Sequence, residues 1–396
     1  MISPLFDTLH HIKATSTQRG VEPRYAQDYD YAVQFLYSYR GSEATFNAYR
    51  RELERLLHWS WRIAKCSILT LKREQIEAFV QFCQNPPSSW IGAHQCRRFV
   101  VKAGQRQVNV DWRPFVLNDT DSKSGYLLSQ KAVQAIFAVL SSFYHYLIQE
   151  QAMAYNPVSQ IRQKSKFVRK VQNKPVVRRL SELQWSYVID TALRMANEDS
   201  RHERTLFIMN ALFGMYLRIS ELSAHPRWMP QMGHFHRDHD QNWWFKTVGK
   251  GNKERVISVS DAMLQALKRY RHSLGLSALP SPGESMPLIL SERGGKPISS
   301  TRQIRNIVQV CFDRAVAELI CDGFQEEADV LKSATVHWLR HTGISEDVKR
   351  RPREHVRDDA GHGSSAITDH YIDVEHRERH ASAKHKTIHP DAHTKR

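Results

Sequence analysis

The chain has 396 residues, with 57 Lys plus Arg against 41 Asp plus Glu, a formal net charge of +16 with His neutral. Its length excludes a small disulfide-stapled module and suits two or three domains with well-buried cores. The charge points to an anionic partner, a phosphate-rich polymer or an anionic membrane surface, and says nothing of fold.

The longest apolar stretch, Ala132 to Ile148, is broken by Gln134, Ser141, Ser142 and His145 and is shorter than a bilayer span, so it reads as a buried helix with no membrane partner. The N-terminus lacks a basic segment followed by an apolar one, and the expected localisation is cytoplasmic. Cys66, Cys83, Cys96, Cys311 and Cys321 contain no CxxC pair and read as reduced and structural.

In chain order, residues 1–27 read as an N-terminal arm that can be flexible, and residues 28–160 as a helical domain. Its helices begin from Tyr29 (Tyr31, Val33, Phe35, Leu36, Tyr39). They continue over Thr45 to Trp61, with Tyr49, Leu53, Leu56 and Leu57 at three- and four-residue spacing, and over Leu71 to Cys83, before Pro86 and Pro87. Residues 86–122, with Trp90, Trp112 and Pro114, form an insertion to which the sequence attaches no role. Helicity returns over Ser129 to Gln151 and stops at Asn156-Pro157. Residues 161–179 carry Arg162, Lys164, Lys166, Arg169, Lys170, Lys174, Arg178 and Arg179 without an acid, a basic linker that suits either a strap across a phosphate backbone or a solvated tether.

Residues 180–376 form the second domain. Leu180-Ser181-Glu182-Leu183 opens a helix, and Arg204 to Leu222 reads as another. Trp243 to Val248 and Arg255 to Val259 read as strands joined by Gly249-Lys250-Gly251-Asn252-Lys253, whose glycines and asparagine suit a hairpin. Further helices are expected over Asp261 to Ser273, Ser300 to Ile320, Val336 to Lys349 and Ser365 to His376, before a polar, His-rich tail over 377–396. The fold class is mainly α with a small antiparallel β-sheet.

Four separated pieces of this second domain carry chemistry. Gly214-Met-Tyr-Leu-Arg218-Ile-Ser-Glu221-Leu sets an arginine and a glutamate three apart. Val248-Gly-Lys250-Gly-Asn-Lys-Glu-Arg255 puts a lysine on a hairpin tip, with Lys253 and Arg255 sharing the loop and the Gly-Lys-Gly position favouring Lys250 over Lys253. His337-Trp-Leu-Arg340-His341 repeats the three-residue spacing, and Gly361-His362-Gly363 precedes Tyr371.

In this order and spacing the motifs resemble those of the tyrosine recombinases, the lambda integrase and Xer-like phage integrase family. Thr45 to Pro157 is similar to its helical core-binding domain and Leu180 to about Val374 to its α+β catalytic domain, which implies a two-domain clamp on DNA. The resemblance implies that Tyr371 is the nucleophile and that Arg218 and Arg340 clamp the scissile phosphate. It makes His337 the base for the tyrosine proton, His362 a further phosphate donor, Lys250 the acid that protonates the leaving 5′-oxygen, and Glu221 the support of Arg218. Physical chemistry agrees: a phenol of ordinary pKa near ~10 gives an ester that the released hydroxyl can attack in turn, and planar guanidiniums suit a phosphorane's extra charge.

The implied function is site-specific recombination through a 3′-phosphotyrosyl link, for integration, excision or resolution of a mobile element, without ATP, metal or other cofactor. The implied partners are double-stranded recombination sites and accessory DNA-bending or directionality factors. The resemblance also implies a homo-tetramer on synapsed DNA that is a monomer or weak oligomer when free, and nucleoid association when DNA-bound. Three alternatives stay open: a type IB topoisomerase-like or telomere-resolvase strand transferase, a non-catalytic DNA-binding factor, and a metal nuclease using His234, His236, Asp238 and His239 or the tail histidines His376, His380, His385, His389 and His393. No cysteine joins those histidines, and His341 reads as structural because Trp338 stands where a zinc protease needs glutamate. The sequence departs from the family at Ala360, often leucine there, and in a tail whose large apolar residues after Tyr371 are Ile372, Val374 and Ile388, which disfavours docking of that tail on a neighbouring protomer.

Overall fold

A computed structural model of the chain describes residues 2–13, 21–102, 104–117, 126–159, 161, 178–249, 251–292 and 295–362. Its two compact units are Met1–Gln172 and Asn173–Arg396.

The first unit is built on α1 (Ala26–Ser38), α2 (Glu43–Trp59), α3 (Arg73–Gln84) and α4 (Gln130–Gln149). Ser42 caps α2 by accepting from the Thr45 N–H, and Ser129 caps α4 by accepting from that of Ala132. The face of α2 that carries Phe46, Leu53, Leu56 and Leu57 is fully buried. Against it lies α4, whose composition alone would permit a membrane span. Nine of its side chains, from Val133 to Leu147, are buried, which makes it a core helix of this unit. Residues 2–13 do not hang free as a flexible arm would. Leu5, Phe6 and Ile12 join the core, and the Leu5 N–H reaches buried Glu54 at 2.6 Å.

The insertion folds into four short strands. β1 (Ile91–Gly92) pairs in parallel with β4 (Phe115–Val116), while β2 (Phe99–Lys102) and β3 (Gln105–Val108) form an antiparallel hairpin. Trp90, Trp112 and Phe115 are buried beneath them.

In the second unit α5 (Glu182–Glu198) starts from a capping box at Ser181 and Gln184. It packs with α6 (Glu203–Gly214) and the 21-residue α8 (Thr301–Cys321) around a core of Val188, Phe207, Leu212, Val308 and Phe312. An antiparallel sheet follows in the order β5 (Phe235–Arg237), β6 (Trp243–Val248), β7 (Glu254–Ser258), then α7 (Asp261–Ser273). The chain continues through α9 (Gln325–Lys332), α10 (Val336–Asp347) and α11 (Arg353–Ala360).

Two differences from expectation concern local physics. The helix expected over Arg204 to Leu222 ends at Gly214, because Tyr216 takes φ 50° and Arg218 is extended; Ile219–Glu221 is a separate 3-10 turn. Strand β5 runs through the stretch singled out for metal-binding histidines. His234 stacks on Trp228 at 4.5 Å with its Nδ1 accepting from the Gln231 N–H, while His239 is exposed beside Asp240. Among the described residues no three His, Cys, Asp or Glu side chains gather as a metal site. All five cysteines are free, and Cys83 and Cys311 are buried. The expected helix over Ser365 to His376 and the tail lie outside the described residues.

Candidate active site

The turn after α6 positions Arg218. Its backbone N–H donates to Glu221 Oε2 at 2.7 Å and its Nη1 to Oε1 at 3.1 Å, so both oxygens of one carboxylate fix the residue. Glu221 is completely buried. A carboxylate in that position needs cations around it. Besides Arg218 it receives Arg255 of β7, whose Nη2 lies 2.7 Å from Oε2.

Arg340 comes from α10, one turn beyond His337. Its Nη1 donates to the Tyr216 carbonyl and its Nη2 to the Ala360 carbonyl at 2.6 Å, while His362 Nε2 accepts from Nη2 at 3.3 Å. With Nε2 accepting, the neutral imidazole carries its proton on Nδ1. The C-terminal end of α11 thus organises three arginines: the Ala360 carbonyl receives Arg340 and Arg255, and the Gly361 carbonyl receives Arg218 at 3.4 Å. Carbonyls at a helix C-terminus attract cations. Gly361 sits at φ 64°, and a Cβ there would lie 2.8 Å from Arg255 Nη1, so glycine meets both the backbone and the space requirement.

Arg218, Arg255, His337, Arg340 and His362 line an open cleft of about 1020 Å³. Its histidines are held neutral. Burial, then Arg340, Arg218 and Arg255, lowers His362 to about 4; burial, then His337 and Arg340, lowers His341 to about 4. His337 is lowered by burial and by Arg340, Arg305 and Arg218. A cationic cleft with neutral imidazoles accepts an anion and still offers a proton acceptor near pH 7.

The structure therefore brings Arg218, Glu221, His337, Arg340 and His362 together, with Arg178 and Lys253 on the same rim. His341, expected to be structural, also lines the cleft. Arg179 is half-buried just before α5. Lys250, Tyr371, Arg162, Lys164, Lys166, Arg169, Lys170 and Lys174 lie outside the described residues.

Two arginines escape the sequence reading. Arg255 has the same parity on β7 as buried Ile257 and faces buried Thr247 across the ladder, an inward arginine that strand alternation could have revealed. Arg351, beyond α10, bonds the Tyr216 hydroxyl and Ser258 Oγ at 3.0 Å each and Asp359 at 2.6 Å. No pattern marks it.

No protein-family profile matches the chain. Tyrosine recombinase XerC of Thermodesulfovibrio yellowstonii is 26% identical over 259 residues, spanning 63% of this chain and 73% of that protein. Tyrosine recombinase XerD of Listeria monocytogenes is 26% identical over 215 residues, spanning 54% and 61%. Among solved structures, the XerH site-specific recombinase bound to palindromic difH substrate superposes with TM-score 0.57 at 12% identity, covering 93% of this chain and 91% of that one. The Tn1549 transposon integrase in complex with a circular intermediate DNA gives TM-score 0.53 at 15% identity, covering 90% and 98%. The solved structures establish a shared fold, and the chain is similar in sequence to Xer tyrosine recombinases, with Arg218, His337, Arg340 and His362 in motifs of the same order.

Proposed function

We propose that the chain is a site-specific DNA recombinase that cleaves and rejoins duplex DNA through a 3′-phosphotyrosyl intermediate, serving integration, excision or resolution of a mobile element. One observation carries the reading: Arg218 and Arg340, from separate segments, are both anchored on the end of α11 and both border one cleft beside two neutral histidines.

In this reading the two guanidiniums take the non-bridging oxygens of one phosphate, and they bind best when a fifth oxygen adds charge to the phosphorus. Tyr371 Oη attacks that phosphorus, the bond to the 5′-oxygen breaks, and the 3′-phosphate remains on the tyrosine. His337 takes the phenolic proton, since its lowered basicity keeps the ring neutral. Lys250 gives a proton to the departing 5′-oxygen, and His362 supports the phosphate from the Arg340 side. Rejoining reverses these steps with another strand's 5′-hydroxyl. The ester retains the energy of the phosphodiester, so the cycle balances without a nucleotide.

The partner is a double-stranded recombination site, and a homo-tetramer acts on two synapsed sites in the cytoplasm. A nicked suicide duplex tests the chemistry: the native chain forms a protein–DNA adduct resistant to denaturant, while Tyr371→Phe binds the duplex without one. Joint product from two labelled duplexes distinguishes recombination from strand transfer within a single duplex. An adduct that persists in Tyr371→Phe removes that residue from the role.

A further inference from the structure

The insertion in the first unit poses a physical problem that its core contacts do not explain. Among the described residues the β2–β3 hairpin pairs with no third strand: every residue of β3 is exposed, as are Val101 and Lys102 of β2. An isolated two-stranded ribbon is marginal in water, and its open edges invite pairing. This one is tied down at its base and again one pair from its turn. Arg106 makes two bonds to buried Asp7, at 2.5 and 2.6 Å, and lies over the Phe99 ring, while the Asn109 N–H and side chain bond the carbonyls of Arg98 and Arg97. Arg98 pairs with buried Glu54. One face is held by these bonds, and the other is left to solvent at Lys102, Gln105 and Gln107.

Register divides its two faces. Phe99 pairs with Val108 and Val101 with Arg106 on one face, where Phe99 is buried and Arg106 is held by Asp7, whereas half-buried Val100 pairs with Gln107 and Lys102 with Gln105 on the other. The outer face therefore shows Lys102, Gln105 and Gln107 side by side, close to the turn that Gly104 makes at φ 75°. From Ala78 to Val110 the chain contains no Asp or Glu, while Arg97, Arg98, Lys102 and Arg106 fall within that stretch. A ribbon of this width fits the major groove of B-form DNA, where glutamine can bond adenine and lysine can bond guanine through paired edge positions.

We propose that the β2–β3 hairpin is a DNA-reading ribbon that enters the major groove beside the recombination site, with Lys102, Gln105 and Gln107 against the base edges. This rests on the reading that the chain acts on duplex DNA. It gives the 86–122 insertion a specific task, setting part of the target sequence.

The test compares the native full-length chain with Lys102→Ala/Gln105→Ala/Gln107→Ala by selection from random duplexes, followed by affinity and adduct formation on the selected site. All three residues are exposed, so equal melting temperatures verify folding. The expected result is that the variant's selected site loses preference over a contiguous block of two to four base pairs, with affinity down roughly 10-fold or more. At saturating DNA, adduct formation stays within about threefold of native. An unchanged selected site and affinity overturn the ribbon alone. A native chain that binds no duplex overturns both the ribbon and the proposed function, and altered binding without a native adduct spares the ribbon while removing the chemistry.

Discussion

Glu221 holds Arg255 as closely as it holds Arg218: its Oε2 accepts from Arg255 Nη2 at 2.7 Å, and its Oε1 from Arg218 Nη1 at 3.1 Å. The carboxylate is fully buried and the Arg255 side chain is 9% exposed, so the pair is a fixed wall behind the more exposed Arg218. Arg255 then continues to the Ala360 carbonyl, which also receives Arg340. One buried acid thereby links Arg218 to the carbonyl that also receives Arg340.

Removing that acid leaves cations buried without a counterion. Glu221→Ala is expected to lose about 3–5 kcal/mol of stability, the usual cost of breaking a buried pair from one side. Urea unfolding measures it. Adduct formation on a suicide duplex falls at least tenfold at saturating DNA, while duplex affinity stays within about threefold because Arg218 keeps its charge. Native-like stability would mean that the buried carboxylate does not hold the site.

Arg351 works one layer further back. It ties Tyr216, Ser258 and Asp359 together, and these belong to the turn bearing Arg218, to β7 and to α11. Arg351→Lys is expected not to rescue the loss in Arg351→Ala, since a single ammonium cannot reproduce the planar fork that spans these partners. Both variants should cleave roughly tenfold more slowly at saturating DNA with affinity unchanged. A lowered affinity at native cleavage rate would place Arg351 on the DNA instead.

How far the sequence discloses this arrangement depends on what each residue leans on. Helices such as Asp261–Ser273 were legible because their apolar period and caps are local. Arg218, His337, Arg340 and His362 were legible through ordered short motifs, although their gathering around one cleft is tertiary. α11 itself was missed: its eight residues bury only Val356, Asp359 and Ala360, too little apolar pattern to register. The end of α6 was missed for the opposite reason, because Met215, Leu217, Ile219 and Leu222 continue an apolar pattern while Tyr216 turns left-handed. Arg351 has partners 135, 93 and 8 residues away in the chain, and no spacing rule connects them.

The buried histidines predict acid sensitivity. His341 and His362 lie at about 4 and His58, enclosed between Trp90 and Trp112, at about 3, each lowered chiefly by burial. Unfolded, they return to about 6.5. Between those values the unfolded chain binds more protons than the native one, so stability is full above pH 6.5 and falls as pH drops toward 4. Urea midpoints measured from pH 7.5 to 5 should decline, and His362→Asn should flatten part of that decline. A midpoint that rises on acidification contradicts the burial of these rings.

Gly343 lies where α10 crosses the end of α6. A Cβ there would stand 2.0 Å from the Phe213 carbonyl oxygen, a backbone atom that cannot swing aside. Gly343→Ala must move α10, and with it His337 and Arg340. Overpacking of this kind costs typically ~1–3 kcal/mol. The expected outcome is a lower melting temperature with a disproportionate loss of adduct formation, since sub-ångström placement of a catalytic group matters more to rate than to folding.

In the proposed function the +16 charge divides between holding DNA and reacting with one phosphate, and salt should separate the two. Each phosphate neutralised on binding contributes about 0.9 to the slope of log affinity against log salt. In the proposed reading Arg218 meets one phosphate, so Arg218→Ala should change that slope by about one at most while lowering adduct formation by roughly 10²–10³, the effect of losing one preorganised charge donor. Replacing Arg162, Lys164, Lys166, Arg169, Lys170 and Lys174 together by alanine should do the reverse. The slope should shrink by several units, while adduct formation at saturating DNA stays within about threefold. Filter binding across 50 to 300 mM salt, paired with single-turnover cleavage, measures both. An Arg218→Ala chain that still cleaves at the native rate would move the phosphate clamp away from the cleft, because Arg218 is the more solvent-accessible of the two arginines assigned to it.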